Sequence, residues 1–146
     1  MHKSAQQLAD AAAQVICAHD RCALALGLRL LEVGPGIARM QMAVSEDMMN
    51  AHNTCHGGLI YTLADSTFAY ACNSHNKNAV AVTCLIEYLR PAYVGDVLTA
   101  SGAEQSLEGR NGVYDIRVQN QKGEPVALFR GKSTQIKGNV ADQIKP

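Results

Sequence analysis

The sequence predicts an α+β domain in which one antiparallel β-sheet wraps around a central α-helix. A proline-free apolar run at about 55–72 has the spacing of a helix, while the segments after it alternate as strands do. Glycine and proline separate those segments. Strands and helices do not alternate along the chain, so nothing indicates a parallel, doubly wound sheet.

A single domain over residues 1–146 is expected from length and composition. A chain of this size buries roughly two thirds of its unfolded surface around one core. Apolar residues make up 47% of the chain and charged residues 18%, which excludes the polar, highly charged composition of disordered segments.

The N-terminal segment, about 4–22, favours an amphipathic helix on the outside of the fold, because it is rich in Ala and Gln and lacks Gly and Pro. Gly27 ends this helix at the latest. A β-hairpin follows, with Gly34-Pro35-Gly36 as its turn. Its second strand places four apolar residues on one face: Ala38, Met40, Met42 and Val44.

The central helix, about 55–72, carries apolar residues on nearly every side and is therefore expected to be buried. Three more extended segments follow it. They cover about 79–89, about 96–108, and a hairpin over 112–136 that turns at 121–124.

Charge and cysteine content argue against several classes of partner. Thirteen basic residues balance thirteen acidic ones without forming a basic stripe, so nucleic acid is not expected. No stretch of about twenty apolar residues is available to span a membrane. Five cysteines without a CxxC pair indicate reduced thiols, and with no signal-peptide pattern they predict a cytoplasmic protein.

The start of the central helix is the first feature that suggests chemistry. His56-Gly57-Gly58 presents backbone N–H groups without intrahelical partners at the positive end of the helix dipole, which suits a polarised carbonyl oxygen. The glycines would let a substrate approach the main chain closely. The alternative is that they only allow a sharp bend.

Asp65 is the second feature, because it lies within a helix that has no polar face. Aspartate is rarely buried without a partner, and no Lys or Arg occurs from Asn50 to Asn76. A solvated position or a structural hydrogen bond is the alternative. Gly57 and Asp65 lie about 12 Å apart along one helix, too far to act on one carbonyl, so a second subunit would have to bring them together.

Other groups of residues give weaker indications. His52 and His56, with Cys55 between them, have a spacing that suits zinc but lack a third ligand, so no metal is expected. Cys55 and Cys72 remain candidate nucleophiles, although cysteine is more often a small core residue. The chain has no G-x-S-x-G, P-loop or G-x-G-x-x-G motif.

The stretch HGGLIYTLADSTFAYACNS, followed by LRPAYVGDVLTA, GVYDI and VALFRGKS, resembles the hotdog-fold acyl-coenzyme A thioesterases of the phenylacetate-degradation (PaaI) group. The resemblance runs from about 23 to 132. Its most specific motif is HGG with an aspartate eight residues after the first glycine. It implies a hotdog fold in which two subunits join their sheets, active sites lie at the dimer interface, and dimers pair into tetramers.

The resemblance also implies roles for individual residues. Asp65 would be the catalytic carboxylate, acting as a nucleophile or as a general base on water. The Gly57 N–H would polarise the thioester carbonyl. Asn50 and His56 would position water or substrate.

Acyl-coenzyme A would be the partner, and no cofactor is expected because coenzyme A belongs to the substrate and product. Its phosphates are best bound by basic residues near the mouth of the site. Contacts to the substrate and to coenzyme A are expected from Gly58, Ser66, Arg90, Arg130 and Lys132.

The predicted function is hydrolysis of an aromatic acyl-CoA, foremost phenylacetyl-CoA or its ring-hydroxylated relatives. Two alternatives use the same fold. One is hydration or dehydration of a hydroxyacyl thioester, in which His56 would take part. The other is non-catalytic binding of acyl-CoA by a regulator, against which the lack of a DNA-binding segment argues.

Overall fold

Six strands and one long helix dominate the fold in the computed structural model, which describes residues 1–142. The elements are α1 (Ala5–His19), α2 (Arg21–Leu26), β1 (Arg29–Gly34), β2 (Ile37–Ala43), α3 (Gly57–Asn73), β3 (Lys77–Tyr88), β4 (Val97–Glu108), β5 (Asn111–Gln119) and β6 (Pro125–Asn139). The sheet is antiparallel throughout, in the order β1-β2-β4-β5-β6-β3. The predicted α+β class is confirmed, while the predicted domain end at residue 146 lies outside the described residues.

The N-terminal segment predicted as one helix, about 4–22, is divided into α1 and α2. Asp20 lies between them with non-helical φ and ψ angles of −81° and 86°. Its backbone N–H donates to the Ile16 carbonyl, and its carboxylate accepts from the Ala23 N–H at 3.0 Å. Aspartate is a strong helix N-cap, so Asp20 begins a second helix where the hydrophobic pattern alone would continue the first. Gly27 ends α2 in the left-handed conformation.

The first hairpin forms as predicted. Residues 34–36 make the turn between β1 and β2. The face predicted to be apolar is buried against the core: Ala38, Met40, Met42 and Val44.

Helix α3 lies against the inner face of the sheet and contributes much of the core. Phe68 is buried, with its ring centroid 5.7 Å from that of Tyr114 and 5.9 Å from that of Phe129. A Cβ atom at Gly131 of β6 would lie 2.8 Å from the Phe68 ring, so the close approach of helix and strand requires glycine there. Although α3 is buried, neither it nor another helix within residues 1–142 is long and apolar enough to cross a membrane.

Hydrogen bonds fix the C-terminal end of α3 to the sheet. The hydroxyl of Ser74 donates to the Ala71 carbonyl and accepts from the Gly36 N–H, both at 2.7 Å. The carboxylate of Glu104 on β4 lies 2.6 Å from the His75 ring nitrogen, and the same oxygen accepts from the buried Tyr114 hydroxyl at 2.9 Å. With this end fixed, the opposite end of the helix is held at a defined place relative to the sheet.

The two edges of the sheet differ in their protection. At the β1 edge, Gln6 of α1 donates to the Val33 carbonyl at 2.9 Å. At the other edge, β3 pairs only with β6 within the described part of the chain. Three apolar side chains of β3 are exposed by 45–62%: Val80, Val82 and Leu85. A long, apolar and unpaired edge is a surface on which another strand can add.

Candidate active site

The first turn of α3 leaves one amide free. The N–H groups at a helix start have no intrahelical acceptors and must find others. The His56 N–H donates to the Met48 carbonyl at 2.8 Å, the Gly58 N–H to the His56 ring at 3.2 Å, and the Leu59 N–H to the His56 carbonyl at 2.9 Å. Among the hydrogen bonds within residues 1–142, none uses the Gly57 N–H. A donor is therefore available at the place predicted for a carbonyl oxygen.

His56 holds the helix start rather than standing free beside it. It is the N-cap of α3, and its Nδ1 atom accepts from the Gly58 N–H. An accepting Nδ1 places the proton of a neutral imidazole on Nε2. Within residues 1–142, no three His, Cys, Asp or Glu side chains come close enough together to hold a metal ion.

Asn50 organises the loop that leads to the helix. Its Oδ1 atom accepts from the N–H groups of His52 and Thr54 at 2.9 and 3.2 Å, and its Nδ2 donates to the Thr54 hydroxyl at 3.0 Å. Such side-chain bonds to nearby backbone groups are typical of Asx turns. Asn50 thus shapes the approach to the helix start, and its role in positioning water or substrate stays a prediction.

Asp65 is half-buried on α3. No ion pair among residues 1–142 includes it. Burial raises the pKa of this carboxyl above its ordinary value, because low polarity disfavours the charged form. A carboxylate with a raised pKa is a more basic proton acceptor than an ordinary aspartate, as general-base chemistry requires.

Tyr61 and Cys84 are neighbours of Asp65 that the sequence did not single out. Burial, a hydrogen bond with Cys84 and the charge of Asp65 together raise the pKa of Tyr61 to about 12. The phenol is therefore neutral at physiological pH. Its ring meets that of Phe129 edge to face, with centroids 5.3 Å apart. Tyr61 thus contributes an aromatic ring and a protonated hydroxyl to the surroundings of Asp65.

The thiols near the site are poor nucleophiles. Burial raises the pKa of Cys55, and it raises the pKa of Cys72 to about 12, with a smaller contribution from the charge of Asp65. Burial also raises the pKa of Cys84, and a hydrogen bond from Tyr61 lowers it by a smaller amount. Since the thiolate is the reactive form, the structure argues against the alternative in which Cys55 or Cys72 attacks the substrate.

The residues predicted to bind coenzyme A lie in two places. Arg90 follows β3 and pairs with Glu124 at 3.1 Å. Its loop touches the helix start, since the Ala92 carbonyl accepts from the Cys55 N–H at 2.7 Å.

Arg130 and Lys132 are exposed on the outer face of β6, away from α3, because the intervening Gly131 packs against the helix. The Arg130 guanidinium makes two hydrogen bonds to Asp115, at 2.6 and 2.8 Å. Of the predicted substrate contacts, Gly58 lies at the helix start and Ser66 next to Asp65. Arg90 belongs to the loop that contacts Cys55, while Arg130 and Lys132 lie on the opposite face.

Asp65 should make the fold less stable at neutral pH than an uncharged residue would. Because its pKa is raised in the folded state, the folded protein binds more protons than the unfolded chain between the ordinary and the raised pKa. The free energy of unfolding therefore falls as pH rises through that window. We expect Asp65→Asn to be at least as stable as the wild type at neutral pH and to lose any advantage in acid, as measured by urea unfolding.

The matched control for this stability measurement is Asp10→Asn, because Asp10 is an exposed aspartate on α1. Its unfolding midpoint should follow that of the wild type across the pH range. A clearly lower midpoint for Asp65→Asn at neutral pH would contradict the unpaired, partly desolvated state of this carboxylate.

Known proteins match this chain along most of its length. The model of the thioesterase superfamily matches residues 52–127, a range that contains both Gly57 and Asp65. The acyl-coenzyme A thioesterase PaaI of Escherichia coli strain K12 is 46% identical over 125 residues, covering 86% of this chain and 89% of that protein.

Solved structures agree with the sequence matches. The structure of the E. coli PaaI protein from the phenylacetic acid degradation operon aligns with a TM-score of 0.91 and 44% identity, covering 93% of this chain and 99% of that one. A protein from Thermus thermophilus aligns with a TM-score of 0.78 and 39% identity, covering 81% and 99% of the two chains. The sheet wrapped around one central helix is thus shared with both.

Proposed function

Because the chain belongs to the thioesterase superfamily and is an acyl-coenzyme A thioesterase of the PaaI type, we propose that it hydrolyses arylacetyl-coenzyme A thioesters. Phenylacetyl-CoA and hydroxyphenylacetyl-CoA are the foremost candidates. The E. coli protein belongs to a phenylacetic acid degradation operon, which supports this choice. The partly exposed ring of Tyr61, close to Asp65, would offer an aromatic acyl group favourable packing.

One observation carries the proposed mechanism: a half-buried carboxylate without an ion-pair partner in residues 1–142 shares a helix with a free helix-start amide. The Gly57 N–H would donate to the thioester oxygen, on which negative charge develops. Asp65 would attack the carbonyl carbon, forming an anhydride that water then hydrolyses, or would take a proton from an attacking water. In either route the C–S bond breaks, and the thiolate leaves with the bonding electrons without a dedicated acid, because a thiolate is a weak base.

The two groups would meet across a dimer interface. Gly57 and Asp65 of one chain lie about 12 Å apart along α3, whereas groups that act on one carbonyl must lie within about 3 Å of it. Pairing of two β3 edges about a two-fold axis would cover the exposed side chains of Val82 and Leu85 and join the sheets. The start of one α3 would then face Asp65 of the other, and a pair of such dimers would form the tetramer.

Arg90 is the residue we propose for the nucleotide end of coenzyme A, because its loop contacts the start of α3. Phosphate oxygens would replace Glu124 as its partners. Gly58 would leave the main chain open to the substrate, and Ser66 would contact it beside Asp65. Water is the only further reactant in this mechanism, so no cofactor is expected. A cytoplasmic location, favoured by the odd number of cysteines, belongs to the same proposal.

Thiol release from a panel of acyl-CoAs tests the proposed substrate class. The panel contains phenylacetyl-, hydroxyphenylacetyl-, benzoyl-, short aliphatic and long aliphatic thioesters, each assayed with the wild type and with Asp65→Asn as the blank. We expect the highest kcat/KM for the arylacetyl thioesters. A preference for aliphatic thioesters would contradict the proposed substrate, and release from no member of the panel would contradict hydrolysis of these acyl classes.

A further inference from the structure

Tyr88, the last residue of β3, makes a close contact with the helix start. Its hydroxyl donates to the Gly57 carbonyl at 2.6 Å. A Cβ atom at Gly57 would lie 3.1 Å from both the hydroxyl and the adjoining ring carbon of Tyr88. The tyrosine is nevertheless 49% exposed, so simple core packing does not account for its position.

We propose that Tyr88 is a positioning residue: by holding the peptide unit that follows Gly57 it fixes the backbone angles of this glycine, so that the Gly57 N–H, on the preceding peptide unit, faces the thioester carbonyl. This inference rests on the proposed function of Gly57 as the donor to that oxygen. Within residues 1–142 the hydroxyl of Tyr88 bonds to Gly57 and not to Asp65, so its effect would be exerted through Gly57.

The helix start needs such support because of its sequence. Two consecutive glycines occupy the first two positions of α3, and glycine has the greatest backbone freedom of any residue. An oxyanion donor acts well only when it is already oriented before the charge develops. The ring of His56 accepts from the Gly58 N–H and the hydroxyl of Tyr88 donates to the Gly57 carbonyl, so both contacts hold the one peptide unit that joins the two glycines. The free Gly57 N–H lies on the peptide unit directly before it.

The aromatic ring adds a steric part to this role. Because Gly57 has no side chain, the ring of Tyr88 occupies the space beside it, where an added Cβ atom would lie 3.1–3.4 Å from the nearest atoms of the tyrosine. The ring therefore limits the directions from which a carbonyl oxygen or a competing water can reach the amide. Burial raises the pKa of Tyr88, which keeps its hydroxyl protonated and able to donate at alkaline pH.

Tyr88→Phe tests the proposal because it removes the hydroxyl and keeps the ring. We expect kcat to fall roughly tenfold, the effect of one hydrogen bond, while KM changes little. The control is Tyr93→Phe, since Tyr93 is an exposed tyrosine in the following loop, and it should match the wild type. The assay uses the acyl-CoA that the wild type hydrolyses fastest, whatever its acyl group, so an error in the proposed substrate class does not affect the result.

A double-mutant cycle separates positioning from a general structural effect. In Gly57→Pro, which lacks the amide hydrogen, adding Tyr88→Phe should cause no further loss, because the two residues act as a unit. Equal losses in both backgrounds, with unchanged oligomeric state, would overturn the proposal, as would an unchanged kcat in Tyr88→Phe.

Amide hydrogen exchange gives a readout that does not depend on turnover. Removal of the hydroxyl should speed exchange by roughly tenfold at Gly58, whose bonded N–H belongs to the peptide unit that Tyr88 holds, and leave exchange at the C-terminal end of α3 unchanged. Identical exchange in Tyr88→Phe, Tyr93→Phe and the wild type would show that Tyr88 does not hold the helix start, even if no tested thioester were hydrolysed.

Discussion

Asp65→Asn is expected to lower the rate of thiol release by roughly 10²–10⁴-fold, the range by which a positioned acid or base accelerates reactions. Asparagine has nearly the same shape, but it can neither attack a thioester nor take a proton from water. Because the substitution removes only a carboxylate charge that has no ion-pair partner among residues 1–142, the fold should persist. The measurement is kcat/KM for an arylacetyl-CoA, with circular dichroism as the check on folding.

Asp10→Asn provides the same chemical change at an exposed site on α1 and should keep full activity. If folded Asp65→Asn retained activity comparable with that of Asp10→Asn, the proposed catalytic role of the carboxylate would be wrong.

Gly57→Pro should lower kcat by roughly 10²–10³-fold, which is the usual effect of removing one oxyanion donor. Gly57 is the first residue of α3, the helical position that proline tolerates best. The ψ angle of His56 is 129°, which suits a residue before proline. The substitution therefore removes the N–H group while preserving the helix.

Gly57→Ala is the matched control, because it adds a Cβ atom in the same place, 3.1 Å from Tyr88, but keeps the N–H. It should lose only a few-fold in rate, as tight packing against an exposed side chain is relieved by a small shift. Equal losses in the alanine and proline variants, at equal stability in urea, would show that the added carbon atom and not the missing hydrogen is responsible.

Much of the fold followed from the sequence because local patterns coincide with the final structure. The face of β2 predicted to be apolar is buried, and the proline-free apolar run forms the buried helix α3. The break at Asp20 escaped prediction because the alanine-rich pattern continues through it, whereas one side-chain cap decides where the second helix begins.

The sequence indicated candidate site residues where a residue differs in type from its neighbours. Asp65 is a charge in an apolar helix, and Gly57 belongs to a glycine pair at a helix start. The contacts of these residues could not be predicted, because they join segments distant in sequence. Tyr88 reaches Gly57 across 31 positions, and the register of β5 against β6 brings Asp115 beside Arg130.

A site shared between two subunits is the central claim, and mixing two inactive variants tests it most directly. Asp65→Asn and Gly57→Pro subunits are combined, exchange is demonstrated with differently tagged chains, and thiol release is measured. With random exchange about half of the dimers are hybrids, and each hybrid has one site with an intact Asp65 and an intact Gly57. We predict recovery of about a quarter of the wild-type activity, since one of the two sites works in half of the dimers. Activity no higher than that of the separate variants, despite demonstrated exchange, would contradict a site built from Asp65 of one subunit and Gly57 of the other.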